Sequence, residues 1–338
     1  MKNFIFVLLT LVMASCWTRD RFSDAYYPSD PVAFDAVNSI FDDINSDISR
    51  WYIMDDNLVL TFSSKRGFQS TNFSFYAYLI SPSWSKETGR LNVHASHMRE
   101  VENFLIPINN ACNQKGPYFV DNRESGKMLI YSSDCDGSYK LYFKKEGSQH
   151  TQSNKDNLGQ LRLFNEANVH EMYASFFGEG LEKEEFFKDG KQPEKMIFTS
   201  DKDGVFDIYE MDMPVDKDIM DFLTGSENGQ IKKLSINSEA NDHYPFVMGN
   251  YLFFASDRAG GFGGYDLYVS KYSNGEWSAP RNLGGQINSE YDELRPILNG
   301  STWEIYHQKF NNRLMIFSSD RPGGKGGFDL YYVGFSDF

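Results

Sequence analysis

The sequence predicts an all-β fold, a five-bladed β-propeller closed by an N-terminal strand that joins the last blade. Three observations predict it. A strand–turn–strand pattern recurs five times, an asparagine marker separates successive copies, and the chain ends one strand short of a complete fifth copy. Repetition on this scale is typical of a propeller, a solenoid or an array.

The repeated unit is a β-hairpin. An apolar run ends in a serine, and a glycine turn then leads into an aromatic run; glycine suits such a turn because it enters positive φ without strain. The closing serines lie 56 to 69 residues apart, at Ser64, Ser133, Ser200, Ser256 and Ser319. The turn glycines are Gly67, Gly137, Gly204, Gly260 and Gly323, and the aromatic runs are residues 75–78, 139–142, 206–209, 265–268 and 328–331.

The dipeptide Ile-Asn, or a close relative, separates the copies. It follows an aromatic run at residues 108–109, 164–165, 236–237 and 287–288, and it occurs once ahead of the first hairpin, at Ile44-Asn45. No such marker follows the fifth aromatic run, so we expect residues 33–41 to close the fifth blade. A closed ring leaves no terminal sheet edge, whereas an open solenoid needs capping repeats at both ends.

Each blade is expected to contain four strands, named A to D from the central channel outwards. Strand A is indicated by residues 118–120, 175–177, 245–247 and 296–298, and in the first blade by the less distinct residues 51–53. In such a meander the B–C turns and the D–A links lie on one face, the link face. The A–B and C–D loops lie on the other, the loop face.

Two cysteines fall on the same face in this scheme. Cys135 lies in the B–C turn of the second blade, and Cys112 lies in the link that enters that blade. We therefore predict a disulfide between them; the alternative is a pair of buried free thiols. Disulfides persist in exported proteins.

The N-terminus indicates export. Lys2 precedes an apolar run at residues 4–13, then come Ala14-Ser15 and Cys16, the pattern of a secretory signal. It resembles a bacterial lipoprotein signal, which implies that Cys16 is acylated; the alternative is an ordinary secreted protein. We predict a signal peptide over 1–15, a flexible tether over 16–32 and the propeller over 33–338. No other segment approaches the roughly 20 apolar residues that span a bilayer.

Charge argues against nucleic-acid binding. With 47 acidic and 33 basic residues the chain carries a net charge of −14, which repels phosphate backbones. A cation or a basic protein remains an acceptable partner.

The predicted loop face carries most of the insertions, at residues 81–90, 178–195, 214–229 and 301–313. Long loops in a compact domain are often functional, so this face is a candidate partner surface; the alternative is that loops vary where variation is tolerated. The candidate partner-facing residues are Trp84, Phe186, Phe187, Met220, Phe222, Trp303, Tyr306 and His307.

Four turn aspartates recur at one position, Asp134, Asp201, Asp257 and Asp320, with Lys65 in the first copy. A carboxylate there can accept turn amide hydrogen bonds, and equivalent positions on separate blades do not converge as a catalytic pair must. We interpret them as structural. His94 and His97 lack an accompanying metal motif, and we predict no metal and no cofactor.

The best-formed repeats carry a family resemblance. Residues 277–295, Ser256-Asp257-Arg258 and the 265–268 and 328–331 runs resemble the TolB-like, WD-type propeller repeats of Bacteroidota envelope lipoproteins. The resemblance implies a non-enzymatic, lipid-anchored scaffold that binds an envelope protein in outer-membrane assembly, type IX secretion or gliding. No acidic run follows Cys16, which favours a periplasm-facing outer-membrane anchor over the cell surface.

The alternative function is a glycan-binding or glycoside-hydrolysing propeller, because five-bladed propellers include glycosidases with central carboxylates. Strand A supplies mainly Phe, Tyr, Val, Ile and Leu rather than acids. The sequence therefore predicts that the chain is not an enzyme.

Overall fold

The computed structural model describes residues 23–50, 58–67, 71–122, 126–146, 157–164, 166–186, 190–214, 216–217, 219–225, 229–299, 304–305 and 308–336. Within these ranges the chain forms five small antiparallel sheets arranged in a ring. The prediction of an all-β, five-bladed propeller is confirmed.

Two short strands, β1 (Ser23–Ala25) and β2 (Val32–Ala33), precede the first blade. The first blade contains β3 (Asp43–Arg50), β4 (Leu58–Ser64), β5 (Ser74–Ser85) and β6 (Arg90–His97), and a helix, Arg99–Leu105, follows it. The second contains β7 (Gln114–Asn122), β8 (Gly126–Ser133), β9 (Lys140–Glu146) and β10 (Asn157–Gln160).

The third blade contains β11 (Glu171–Phe177), β12 (Lys195–Ser200), β13 (Asp207–Asp212) and β14 (Ile231–Lys233), with a 3-10 helix, Lys183–Glu185, and an α-helix, Ile219–Thr224, in its loops. The fourth contains β15 (Asp242–Met248), β16 (Tyr251–Ser256), β17 (Asp266–Ser273), β18 (Glu276–Trp277) and β19 (Arg281–Asn282). The fifth contains β20 (Glu293–Leu298), β23 (Arg313–Ser319) and β24 (Asp329–Phe335) and is completed by β2. In the loop between β20 and β23, β21 (Glu304–Ile305) and β22 (Gln308–Phe310) form a separate three-stranded sheet with β1.

The five innermost strands, β3, β7, β11, β15 and β20, contact one another around the central axis. The second strand of each blade is buried along nearly its whole length, as in β4 and β16. Both of its faces pack against neighbouring blades, so its sequence is apolar without the alternation of a half-exposed strand. This is why the apolar run before each closing serine is the clearest sequence signal.

The ring closes through the N-terminal segment, as expected. Val32 and Ala33 pair with Tyr332 and Tyr331 of β24, and the Phe34 amide donates to the Leu330 carbonyl at 2.8 Å. The closing strand is shorter than the predicted 33–41, because residues 34–41 form the link that enters the first blade.

The asparagine marker has a common physical role. The Asn288 side chain accepts a hydrogen bond from the Leu267 amide at 2.8 Å and donates to the Leu267 carbonyl at 3.1 Å, so it extends the sheet beside the third strand. The same pair of bonds is made by Asn38, Asn109 and Asn237. Asn165 lies outside the described residues.

Two strand assignments in the first blade are corrected. Ile44-Asn45 is not a marker but part of β3, and the marker of the closing link is Val37-Asn38. The innermost strand is β3 rather than residues 51–53, which lie outside the described residues. An apolar pattern does not reveal β3, because its DINSDISR sequence is mostly polar.

In three blades an arginine connects the B–C turn to the preceding link. Arg258 donates from its amide and its Nε to the Ser256 hydroxyl, and its guanidinium reaches the Ile236 carbonyl and the buried Asp242 carboxylate. Such a charge-assisted bridge neutralises a carboxylate that would be costly to bury alone. Arg66 with Asp43 and Arg321 with Glu293 make the same set of bonds in the first and fifth blades.

The second blade replaces this bridge with a covalent one. Cys135 occupies the position of Arg258, two residues after the closing serine, and Gln114 occupies the position of Asp242. Cys135 forms a disulfide with Cys112, with the Cα atoms 5.2 Å apart. With no carboxylate to neutralise, the disulfide ties the same turn to the same link.

Residues 23–27, which fall within the predicted tether, pair with and pack against the propeller. β1 pairs in parallel with β22, and Ala25 and Tyr27 are buried. The apolar side chains among these polar residues account for the docking.

Replacing both cysteines with serine (C112S/C135S) should lower the free energy of unfolding by about 3 kcal/mol, because the disulfide closes a loop across a sequence separation of 23 residues. Urea unfolding of the double variant beside the wild-type chain measures this loss. The wild-type chain in the presence of a reductant should lose a similar amount.

Rebuilding the arginine bridge in the second blade tests whether it can replace the disulfide. The triple variant Cys112→Ala, Gln114→Asp, Cys135→Arg copies the residues of the fourth blade and should regain stability relative to C112S/C135S while being insensitive to reductant. A triple variant no more stable than C112S/C135S would refute the equivalence.

Candidate functional site

The central channel is lined by an unusual backbone feature. The third residue of each innermost strand has a positive φ, which is rare for residues other than glycine. These residues are Asn45, Gly116, Tyr173, Tyr244 and Arg295. Strained backbone conformations of this kind persist only where the surrounding packing holds them, and they cluster at functional sites.

Three of these side chains fill the middle of the channel. Asn45 donates to the Tyr173 hydroxyl at 3.2 Å, and the Arg295 guanidinium lies over the Tyr173 ring at 5.5 Å. Arg295 is fully buried and donates to the carbonyls of Pro245 and Pro117 on two other blades. The glycine at position 116 leaves room for Tyr173, since a Cβ there would lie 2.3 Å from its ring.

An insertion closes the channel on the loop face. Lys183, in the 3-10 helix of the third blade, forms a buried ion pair with Asp47 of β3 at 2.5 Å and donates to the Ile48 carbonyl at 3.0 Å. Asp47 also accepts from the Phe119 amide, so this pair joins three blades. Burial raises the pKa of Asp47, and Lys183 opposes that rise.

The channel opens on the link face, where a cavity of about 330 Å³ forms its mouth. We call this cavity the mouth pocket. Its lining combines carboxylates, an ammonium group and aromatic rings: Asp42, Ile44, Phe73, Lys115, Tyr244, Tyr265, Asp292, Leu294 and Phe328.

The two carboxylates of the mouth pocket occupy equivalent positions, one residue before an innermost strand. Asp292 accepts from the Tyr265 amide at 2.7 Å and Asp42 from the Phe328 amide at 3.2 Å. Asn113 and Asn241 accept the same bond in other blades. His170 accepts it through Nδ1 in the third blade. The bond therefore needs only an acceptor atom, and two blades add a negative charge at this position.

Electrostatics distinguish the charged groups of the mouth pocket. Burial opposes ionisation of Asp42, but the Lys65 ammonium at 2.8 Å and the Phe328 amide outweigh it and hold the pKa of this carboxyl below its usual range. Burial, and after it the Lys65 ammonium, lowers the pKa of Lys115, which lies over the rings of Phe73 and Tyr139 at 5.0 and 5.2 Å.

The predicted turn aspartates lie on the link face outside the mouth pocket. Each accepts a backbone amide hydrogen bond from the residue that precedes the innermost strand of its own blade. The distances are 2.7 Å for Asp134, Asp201 and Asp257 and 3.0 Å for Asp320. The structure thus places each of them against the backbone of the residue before an innermost strand, and only Asp320 holds a mouth-pocket residue in this way, Asp292.

The predicted partner-facing residues do not form one surface. Phe186 and Phe222 are 1% and 9% exposed and belong to the core, so they are corrected to packing residues. Trp84 is half-buried beside Tyr26. Met220 lies in the helix Ile219–Thr224, and Phe187, Trp303, Tyr306 and His307 lie outside the described residues, as does Cys16.

His94 and His97 lie in β6, where His97 contacts Glu102 at 2.7 Å. Within the described ranges, no cluster of three His, Cys, Asp or Glu side chains could hold a metal ion. Among the same residues, no helix has the length and apolar character needed to cross a bilayer.

Sequence reasoning missed the mouth pocket and Lys183. The pocket carboxylates could have been found as the residues directly before each innermost strand, a position that also holds Asn113, His170 and Asn241. No local signal could have identified Lys183, because its partner Asp47 is distant in the sequence and meets it only across the channel.

The chain matches no protein-family model and no curated protein. Solved structures similar to it include an α-L-arabinanase from Cellvibrio cellulosa, with 11% identity, 88% of this chain and 92% of that chain covered, and a TM-score of 0.46. For an exo-β-1,3-galactanase from Clostridium thermocellum the identity is 15%, the match covers 92% of this chain and 61% of that chain, and the TM-score is 0.46. For TolB from Acinetobacter baumannii the identity is 12%, the match covers 86% of this chain and 55% of that chain, and the TM-score is 0.36. This chain spans about three fifths of the galactanase and about half of TolB. These similarities concern the fold alone.

The prediction that the chain is not an enzyme is withdrawn, because structures of similar fold include an arabinanase and a galactanase as well as TolB, so the fold gives no ground for it. The error has a physical source. Carboxylates were expected from strand A alone, whereas Asp42 and Asp292 reach the mouth pocket from the D–A links.

Replacing Lys183 with methionine should destabilise the fold by about 3–5 kcal/mol, because Asp47 would remain buried without its counter-ion. The double variant K183M/D47N should recover part of this loss. Chemical unfolding of the two variants measures the difference, and equal stabilities would show that the ion pair does not hold the channel closed.

Replacing His243 with leucine, the residue at the equivalent position 294, should reduce the loss of stability in acid. Burial, then the charges of Lys115, Arg295 and His170, lowers the pKa of His243 well below its usual range. The unfolded chain then binds a proton that the fold excludes, so stability falls as pH drops below about 6.5, by at most about 1.4 kcal/mol per pH unit.

Urea unfolding of wild type and H243L at pH 7.5 and 5.5 measures this effect. Five carboxyl groups have raised pKa values, whose effect on the pH dependence of stability is opposite to that of His243: Glu171, Glu293, Asp47, Asp207 and Asp329. Because both proteins contain these groups, comparing them cancels their contribution. Identical pH dependence in both would assign the effect to other groups.

Proposed function

We propose that this propeller binds a glycan in the mouth pocket. The observation that carries the proposal is the combination of two carboxylates, one ammonium group and aromatic rings around a cavity of about 330 Å³. Small-molecule sites are concave, largely apolar, and contain a few convergent polar groups. The mouth pocket has these properties, and the channel below it is filled by protein side chains.

The chemistry of the lining suits a sugar. Carboxylates such as Asp42 and Asp292 accept hydrogen bonds from hydroxyl groups, and the Lys115 ammonium donates to hydroxyl oxygens. The rings of Tyr244 and Tyr265, whose phenol pKa values are raised by burial, offer an apolar face and a neutral hydroxyl.

Glycoside hydrolysis is a second candidate for the same pocket. It requires two carboxyl groups at one centre, one as an acid and one as a base or nucleophile, and the mouth pocket contains two. The lowered pKa of Asp42 suits the ionised role.

The cellular setting is also part of the proposal. Residues 1–15 are a signal peptide, Cys16 is acylated, and the protein is held at the outer membrane on the periplasmic side, where it serves an envelope complex through an unidentified protein partner. The disulfide between Cys112 and Cys135 supports export, since such bonds persist in oxidising compartments.

The test begins with binding of the mature chain to a panel of bacterial and plant glycans, followed by calorimetry on the best ligand. The variant D42N/D292N should weaken binding at least about tenfold, because hydrogen bonds to charged groups contribute about 1.5–3 kcal/mol each. Its fold should persist, since Asn113 and Asn241 make the same backbone bond elsewhere.

Asp203→Asn is the matched control, an exposed carboxylate on the link face outside the mouth pocket. Release of reducing ends by the wild-type chain but not by D292N would establish hydrolysis. Absence of binding across the panel, or unchanged affinity in D42N/D292N, would refute the proposal.

A further inference from the structure

The first described residues are fixed on the loop face. We call residues 23–28 the N-terminal strap. Its strand β1 lies parallel to β22, with Ser23 opposite Gln308 and Ala25 opposite Phe310. β22 belongs to the loop that joins β20 to β23, and this A–B loop is on the side away from the mouth pocket.

The contacts of the strap are specific. The Tyr27 ring stacks on Phe310 at 4.3 Å, and Tyr27 exchanges two backbone bonds with the Asn312 side chain, at 2.8 and 3.0 Å. The Pro28 carbonyl accepts from the Gly334 amide at 2.7 Å. With Tyr27 only 2% exposed, the strap is packed firmly against the fifth blade and the loop that carries β22.

The length of chain between the strap and Cys16 limits where a lipid on that cysteine can lie. Ser23 comes only about seven positions after Cys16, and a fully extended chain of that length reaches about 25 Å at most. The seven residues of β23 already span about 23 Å along the propeller axis. A chain starting on the loop face would therefore use almost all of this reach to pass the height of the blade, whereas it reaches a bilayer on the loop face without that path.

From these distances we infer that the strap orients the propeller on a lipid surface, with the loop face toward the bilayer and the mouth pocket open to the aqueous side. This rests on the proposed acylation of Cys16. Tyr26 is 46% exposed and makes an edge contact with Trp84 at 6.2 Å on the same face. Tyr and Trp side chains suit the headgroup region because one end is apolar and the other polar.

The test supplies the anchor chemically. The chain from Cys16 onward, with its disulfide intact, is coupled through the Cys16 thiol to maleimide phosphatidylethanolamine in phosphatidylcholine vesicles. A soluble amine-reactive reagent then labels exposed lysines. Lys86, in the loop between β5 and β6, reports on the loop face, and Lys202, in a B–C turn, reports on the link face; both are exposed.

Vesicle attachment should reduce labelling of Lys86 severalfold and leave that of Lys202 unchanged, relative to the uncoupled chain. The variant Tyr27→Ser should release the strap, lengthen the tether and remove the difference, whereas Asp24→Ser, an exposed change in the same strap, should preserve it. Circular dichroism melting checks that Y27S remains folded.

Equal protection of both lysines, protection of neither, or an undiminished difference in Y27S would overturn the inference. Because the lipid is attached chemically, these results do not depend on natural acylation, which mass spectrometry of the membrane-extracted protein measures separately. Glycan binding by the uncoupled chain tests the mouth pocket independently.

Discussion

The buried carboxylate at the start of four of the five innermost strands is the constraint on which most of this structure depends. Asp43, Asp242 and Glu293 have no exposed side-chain surface and are each neutralised by an arginine from the B–C turn. That arginine also bonds the closing serine and the carbonyl before the asparagine marker. One side chain therefore connects a turn, a link and two adjacent blades, and removing it would leave a buried charge unpaired.

The blades without this arginine show which part of the arrangement is essential. The second blade has no carboxylate and uses a disulfide, and in the third Lys140 of β9, a strand of the preceding blade, pairs with Glu171 at 3.2 Å. Three different chemistries thus hold the start of the innermost strand. The fold requires a bond that holds the start of each innermost strand in place. Its chemistry varies with the charge of the first residue of that strand.

The candidate site arises from departures from the repeat. The residue before each innermost strand needs only an acceptor oxygen or nitrogen, supplied by Asn113, His170 or Asn241. Two blades place a carboxylate there instead, and both carboxylates line the mouth pocket. Similarly, the insertion that carries Lys183 reaches the channel from one side, and it makes the two faces of the ring unequal.

The sequence by itself determined the number of blades, the hairpins, the glycine turns and the juxtaposition of Cys112 with Cys135, because each depends on local patterns that repeat at a regular spacing. It could not identify β3, whose polar side chains face a channel rather than a core, nor the real marker Val37-Asn38. Only the tertiary structure decided what fills the channel, which face opens, and that Asp42 and Asp292 share a pocket. Those outcomes depend on contacts between residues far apart in the sequence, since ring closure brings the first and last blades together.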